Sequence, residues 1–207
     1  MKKILIGCEE SGTLTTKFRE AGFESYSCDT EPTRGNPEWH YQMDVKKCIQ
    51  DHGPWSLIIL HPPCTALSVS GNPTYAKGKP GWQERQDAID WTIHLWQLAI
   101  LNADHVALEN PVSVVFQYLT DPCGGFPWKA RVCYVQPYEH GHGETKKTGF
   151  ALWNLPPLYP TNEVEGREQR VWKMAPGPNR KRDRSKTFDG IADAIVDQWG
   201  SLLKTGE

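Results

Sequence analysis

No run of apolar residues approaches the roughly 20 that a membrane span requires. The chain passes from two lysines straight into a strand-like segment, so neither a span nor a signal peptide is expected. An excess of charge of one sign is also missing: 23 Lys and Arg stand against 25 Asp and Glu, a net charge of −2. Composition alone therefore announces no polyanion partner, although a local basic stripe can hide within it. The six cysteines include no Cys-x-x-Cys pair, which excludes a zinc knuckle or a dithiol redox centre of the usual spacing. They are expected to be reduced, mostly buried thiols of a cytoplasmic protein, in a host cytoplasm if the chain is phage-encoded. His140-Gly141-His142 is the one close histidine pair, and no metal site is expected. Internal repeats and abrupt composition shifts are absent, so residues 1–207 read as one domain. What is present is nine tryptophans, 18 glycines and 16 prolines: a chain with a sizeable core and many turns.

Apolar patterning places alternating strands and helices along the first half. Lys3 to Gly7 is a strand ending at the turn Cys8-Glu9-Glu10-Ser11-Gly12; Leu14, Phe18 and Ala21 then recur at helical spacing until Gly22. Phe23 to Cys28 is a second strand, Val45 to Gln50 a short helix, and Leu57 to Leu60 a fully apolar run of the kind a buried parallel strand shows. Residues 68–82, rich in Gly, Pro and Ser, read as a long irregular loop. Gln83 to Ala103 is a helix with Ile89, Ile93, Trp96 and Ile100 on one face, followed by a strand from His105 to Leu108. Val132 to Gln136 and Gly149 to Trp153 suggest an antiparallel hairpin, and Gly190 to Leu203 a closing helix. The expected fold is α/β: an open, mostly parallel, Rossmann-like sheet with helices on both faces and a hairpin in the last third.

In such a sheet, ligands bind beyond the carboxyl ends of the strands, near the point where strand order reverses. Four strand ends carry polar groups: Cys8 to Gly12, Asp29, His61 to Thr65, and Glu109 to Pro111. A glycine-bearing turn into a helix suits a nucleoside-containing cofactor, although it is not Gly-x-Gly-x-x-Gly. Asp29 is placed to accept from a ribose diol and Asp44 from an adenine amino group; either acid can instead cap a helix or solvate a loop. Leu60-His61-Pro62-Pro63-Cys64 holds a thiol rigidly at the rim, because two prolines fix the backbone ahead of it. A thiolate there can add to an electron-poor carbon, and Glu109 can hydrogen-bond to or protonate a ring nitrogen while it does.

Pro63-Cys64 resembles the Pro-Cys motif, and Glu109-Asn110-Pro111 the Glu-Asn-Val motif, of the S-adenosylmethionine-dependent cytosine-C5 DNA methyltransferases, in particular compact phage-type members. The resemblance extends from Ile4 through the Cys8 to Gly12 turn, Asp29 and Asp44 to Arg184-Ser185-Lys186-Thr187 and Gly190-Ile191-Ala192. It implies that S-adenosyl-L-methionine is the cofactor, held by Cys8, Glu9, Ser11, Gly12, Asp29, Asp44, His61 and Pro62. It implies further that Cys64 adds to C6 of cytosine, Glu109 engages N3 and the exocyclic amine, and C5 takes the methyl group. Thr65 stands where the family has Gln, and Lys146-Lys147-Thr148 where it has an Arg-x-Arg strand; Lys147 is taken as the residue that meets the base. The large variable target-recognition region has no counterpart, so the substrate is DNA or a free nucleotide.

Contacts to nucleic acid are expected from Arg170, Arg182 and Arg184 within a basic stretch from Arg167 to Lys186, interleaved with Glu163, Glu165, Glu168 and Asp183. Trp82, with Trp39 and Trp128, is expected to stack on bases, whereas Trp91, Trp96 and Trp199 fit helix cores. Two other readings stay open. One is a non-catalytic protein of this fold that binds nucleic acid or a host protein; the other is an amino-methyltransferase using the His-Pro-Pro-Cys strand end.

Overall fold

A computed structural model describes residues 2–120, 129–177 and 180–205. Seven strands form one sheet: β1 (Lys3–Gly7), β2 (Glu24–Asp29), β3 (His40–Gln42), β4 (Trp55–Leu60), β5 (Ala103–Pro111), β6 (Arg131–Val135) and β7 (Thr148–Trp153). Their order is β3-β2-β1-β4-β5-β7-β6. The first five strands are parallel, and β7 runs antiparallel to both β5 and β6. The chain builds outward from β1 to β3, crosses back, and builds the other way from β4. That reversal opens a crevice at the carboxyl ends of β1 and β4.

Side-chain alternation along the buried strands feeds two cores. Leu5, Ile58, Leu60, Val106 and Leu108 pack with α2 (Val45–His52) and α4 (Trp82–Asn102), where Leu95, Trp96 and Ile100 face inward. Ile4, Ile6, Leu57, Ile59 and Ala107 point to the other face, against Leu14 and Phe18 of α1 (Thr13–Glu20) and Ile191, Ile195 and Trp199 of α7 (Asp189–Thr205). Each fully buried Leu, Ile or Phe contributes about 1.5–3 kcal/mol, so two apolar faces hold the sheet where its rim can carry polar groups. Among the described residues, no helix is long and apolar enough to cross a membrane.

The sheet class and the antiparallel hairpin agree with the sequence reading. The irregular loop expected over 68–82 does not: it contains a 3-10 turn (Val69–Gly71) and α3 (Asn72–Tyr75), and Trp82 is the first residue of α4. A buried side chain from further along accounts for this order. Arg85, only 4% exposed, donates from Nε to the Ala66 carbonyl (2.6 Å), from Nη2 to the Ser68 carbonyl (3.1 Å) and from Nη1 to Asn72 Oδ1 (2.7 Å). Two short helices complete the chain, α5 (Arg170–Lys173) and α6 (Arg180–Ser185).

Candidate active site

Cys64 lies in the turn leaving β4, and its carbonyl accepts from the Ser68 amide at 2.8 Å. Glu109 comes from β5, next to Asn110, which is fully buried and donates from Nδ2 to the Pro62 carbonyl at 3.2 Å. The two loops are laced together further on. Val69 N donates to Val112 O and Val114 N to Leu67 O (both 3.0 Å), and the Ser113 hydroxyl donates to the same Leu67 carbonyl. The Pro-Pro-Cys turn and the Glu-Asn-Pro strand end therefore form one rigid unit, which is what a positioned nucleophile needs.

The electrostatics tie the parts to one another. Burial pushes the Cys64 thiol above its ordinary value and the Glu109 charge adds to this, while Lys146 and Arg184 pull it down. Burial also lowers the Lys146 ammonium, with Glu109 and Cys64 opposing that shift. Lys146 Nζ donates to the Lys186 carbonyl at 3.1 Å. One carboxylate, one thiol and two cations thus share a neighbourhood, a combination that favours functional sites.

The two adjacent lysines are placed differently. Lys147 is exposed, with its ammonium 4.5 Å from the centroid of the Tyr134 ring; Lys146 is the one whose charge reaches Cys64 and Glu109. Adjacent residues entering a strand point to opposite sides, and the register of β7 on β5, Thr148 opposite Pro111, decides which side each takes.

At the neighbouring strand ends, the turn after β1 is set by left-handed backbone at Cys8 (φ 59°) and Gly12 (φ 67°). A side chain at Gly12 would come within 2.9 Å of Gly35 Cα, so the 33–35 loop can close on the turn only because both residues are glycines. Arg34 secures that loop by a two-pronged contact to Glu10 (2.5 and 2.7 Å). Burial, reinforced by Asp29 and Asp44, pushes the Cys8 thiol up to about 12, so it stays protonated and neutral.

Of the residues assigned to the cofactor, Asp29 fits best. It ends β2 beside the turn and uses Oδ1 to accept from the Glu31 amide (3.0 Å). Ser11 and Gly12 also lie in the turn, and His61 and Pro62 border it from β4. Glu9 departs from the expectation. It is 6% exposed, and its carboxylate turns inward to accept from Leu14 N (2.8 Å), Thr15 N (3.4 Å) and the Thr15 hydroxyl (2.7 Å), capping α1. Asp44 likewise acts as the N-cap of α2, accepting from Lys46 N (2.9 Å) and Lys47 N (3.0 Å) through one oxygen. A carboxylate ending a strand beside a tight turn is of the kind that accepts from a ribose diol, so the residues present fit a nucleoside cofactor at Asp29, while the Glu9 carboxylate is taken up by α1.

The basic stretch is only partly as expected. Arg184 reaches the site through its effect on Cys64 and Lys146. Arg170 is paired with the buried Glu144 and lies 3.7 Å from Glu168, which anchors the segment instead of offering a free cation. The side chain of Arg182, and Trp128, lie outside the described residues. Trp82 is half-buried at the start of α4, and Trp39 lies under the Arg19 guanidinium; among the described residues the aromatic most open to solvent is Trp172, 70% exposed in α5. Sequence reasoning passed over Arg85 and Trp172. The first had a signal: an arginine on the same helical stripe as Ile89, Thr92 and Trp96 falls on a buried face.

The strand order and crevice define the class: a Rossmann-like methyltransferase fold. A crystal structure of a protein described as a DNA modification methyltransferase, encoded within a prophage of E. coli, superposes with a TM-score of 0.51 at 12% identity over 85% of this chain. The chain spans 56% of that protein's length. Two further solved structures are similar at lower scores. Entamoeba histolytica EhMeth has a TM-score of 0.46 at 11% identity, over 86% of this chain and 61% of its own. The S. pombe Dnmt2 methyltransferase has 0.49 at 12% identity, over 97% of this chain and 66% of its own. No protein-family model matches the sequence, and no curated protein matches it. The likeness is one of fold; the chemistry must be argued from the site.

Proposed function

We propose that the protein is an S-adenosylmethionine-dependent methyltransferase that modifies C5 of cytosine in DNA through a covalent bond to Cys64. The observation that carries this reading is the convergence of the Cys64 thiol, the Glu109 carboxylate and the Lys146 ammonium at the carboxyl ends of β4 and β5. C5 of cytosine is a poor nucleophile until a group adds to C6 and pushes electrons into the ring. Cys64 supplies that group. Glu109 donates to N3 as the ring takes up charge, and Lys146 and Arg184 stabilise the thiolate before attack. Lys146 also donates to the ring carbonyl. Asp29 and the Cys8 to Gly12 turn would hold the cofactor, which would supply the methyl group. Loss of the C5 proton then expels Cys64 and restores the ring. Reaching a base inside a duplex requires extruding it, at a cost of about a few kcal/mol. The exocyclic-amine alternative gives neither the thiol nor the lysine a task.

Trapping tests the reading. DNA containing 5-fluorocytosine, incubated with the protein and S-adenosylmethionine, should give a covalent complex that survives denaturation, and Cys64→Ser should give none. Binding of the cofactor without adduct or methyl transfer on any cytosine substrate would overturn the C5 assignment and favour a non-catalytic binding protein.

A further inference from the structure

His61 takes no part in the steps above, yet one of its ring nitrogens is buried at the rim without a partner, as is the side-chain oxygen of Asn110. His61 follows Leu60, which is in register with Gly7 on β1 and Leu108 on β5, so its imidazole stands between the cofactor turn and Glu109. Its Nδ1 is 3.2 Å from Glu109 Oε2, with the two side chains 14% and 18% exposed. With the acid proton of Glu109 on Oε1, Oε2 can only accept, so Nδ1 carries the hydrogen of that pair. Nε2 is buried and has no partner. Buried polar atoms in a structural role are almost always satisfied. A ring nitrogen 3.2 Å from Oε2 is within reach to pass its proton to Glu109, while Nε2 keeps its own hydrogen.

We propose that His61 is the proton carrier for Glu109: it orients the carboxylate through Nδ1 and replaces the proton that Glu109 gives to N3 of the bound base. The inference rests on the C5 reading. As the sulfur bonds to C6, the C5=C6 pair moves to C4–C5 and the C4=N3 pair moves onto N3. N3 takes the proton from Glu109 Oε1. The carboxylate then receives, at Oε2, the Nδ1 proton of the imidazolium, leaving neutral imidazole protonated at Nε2. When sulfur leaves C6, the proton returns from N3 through Glu109 to Nδ1. The C5 proton departs to a separate base, so protons and electrons balance over the cycle. His61 acts through Glu109 and is a positioning and proton-supplying residue, one strand-register step from the nucleophile's turn. The charged group paired with it is Glu109 from β5; Glu109 in turn acts on Cys64 and on Lys146 ahead of β7, and Arg184 from α6 acts on both of those.

His61→Asn keeps an N–H donor for Glu109 but cannot carry a proton. The test measures single-turnover adduct formation on 5-fluorocytosine DNA for wild type and His61→Asn from about pH 5 to 8.5, spanning the range in which an imidazole changes charge. Taking the ratio of the two rates cancels the Cys64 ionisation common to both. The ratio should be about 100 near pH 6 and shrink below about 5 at the alkaline end, a size ordinary for acid–base catalysis. Dissociation constants for cofactor and DNA should change less than about threefold. A ratio that does not vary with pH, or that stays below about 3 throughout, overturns the carrier role while leaving the C5 reading intact. If wild type forms no adduct although it binds cofactor, the C5 reading falls and the relay with it. A nitrogen NMR spectrum of the His61 ring, in wild type and in Glu109→Gln, serves if the Asn variant does not fold. The Nδ1 resonance must move when Glu109 is replaced, and an unmoved resonance overturns the pairing.

Discussion

The two regions that meet at Cys64 use their polar groups in opposite ways. Between β4 and the end of β5, polar side chains are buried and committed: Arg85 holds three oxygens, Asn110 holds Pro62, and Ser113 holds Leu67. Between Asn154 and Phe188 the chain is largely exposed, its helices run only four and six residues, and Tyr159 and Trp172 are 62% and 70% exposed. That arm is stitched to the β6–β7 connection mainly by backbone bonds, such as Gly141 N to Asn162 O (2.7 Å) and Glu168 N to Gly143 O (3.0 Å). Its cations pair at the surface, as Arg167 does with Glu163 at 3.8 Å, and such pairs contribute little stability. Buried hydrogen bonds fix the Cys64 turn relative to Glu109, whereas the arm is held mostly by bonds at the surface.

The sharpest way to break this comparison is Cys64→Ala. It should remove methyl transfer by about 10⁴-fold or more while leaving the thermal midpoint nearly unchanged, as read by labelled-methyl incorporation and by melting. No single arm substitution should match it. Next come the adjacent lysines: Lys146→Met should cost on the order of 100-fold in rate, and Lys147→Met less than about threefold, because only the first bears on the thiol. Similar losses from both would mean that the register placing Lys146 inward is wrong.

The thiol's own titration gives a signed test. Glu109 raises it and Lys146 lowers it, so Glu109→Gln should shift the pH dependence of Cys64 alkylation to lower pH, and Lys146→Met to higher pH. Rates of iodoacetamide modification across pH would read both, and movement in one direction for both variants would contradict the arrangement. For stability, Arg85→Met should cost about 2–4 kcal/mol, since two buried carbonyls and the Asn72 side chain lose their donor. A denaturant midpoint indistinguishable from wild type would show that the Cys64 loop does not depend on that guanidinium. Lys173→Ala, on the exposed arm, should have the smallest effect: a stability change below about 0.5 kcal/mol and a salt slope for DNA binding reduced by about one. An unchanged slope would remove α5 from the contact surface.

Much of the frame was legible in the sequence because strand and helix periods are local. Ile4 to Gly7, Leu57 to Leu60 and the α7 stripe of Ile191, Ile195 and Trp199 report burial by their spacing alone. The prolines before Cys64 and the acid of Glu109 announced a rim with chemistry. Glu9 and Asp44 could not be assigned from the sequence for one shared reason. A carboxylate near a helix start can serve a ligand or the helix's own amides, and only the orientation of the side chain tells which. The ordered 68–82 segment was hidden because Arg85, which fixes it, lies beyond it in sequence.

The sequence by itself determined an alternating α/β chain with a rigid thiol and an acid at two strand ends, since those features depend on neighbours within a few residues. Tertiary structure alone decided that Lys146 rather than Lys147 bears on Cys64, that His61 clasps Glu109, and that Arg184 reaches back to the site. Each of those depends on which strands lie side by side and in what register, a choice made by burying two apolar faces at once rather than by any local pattern.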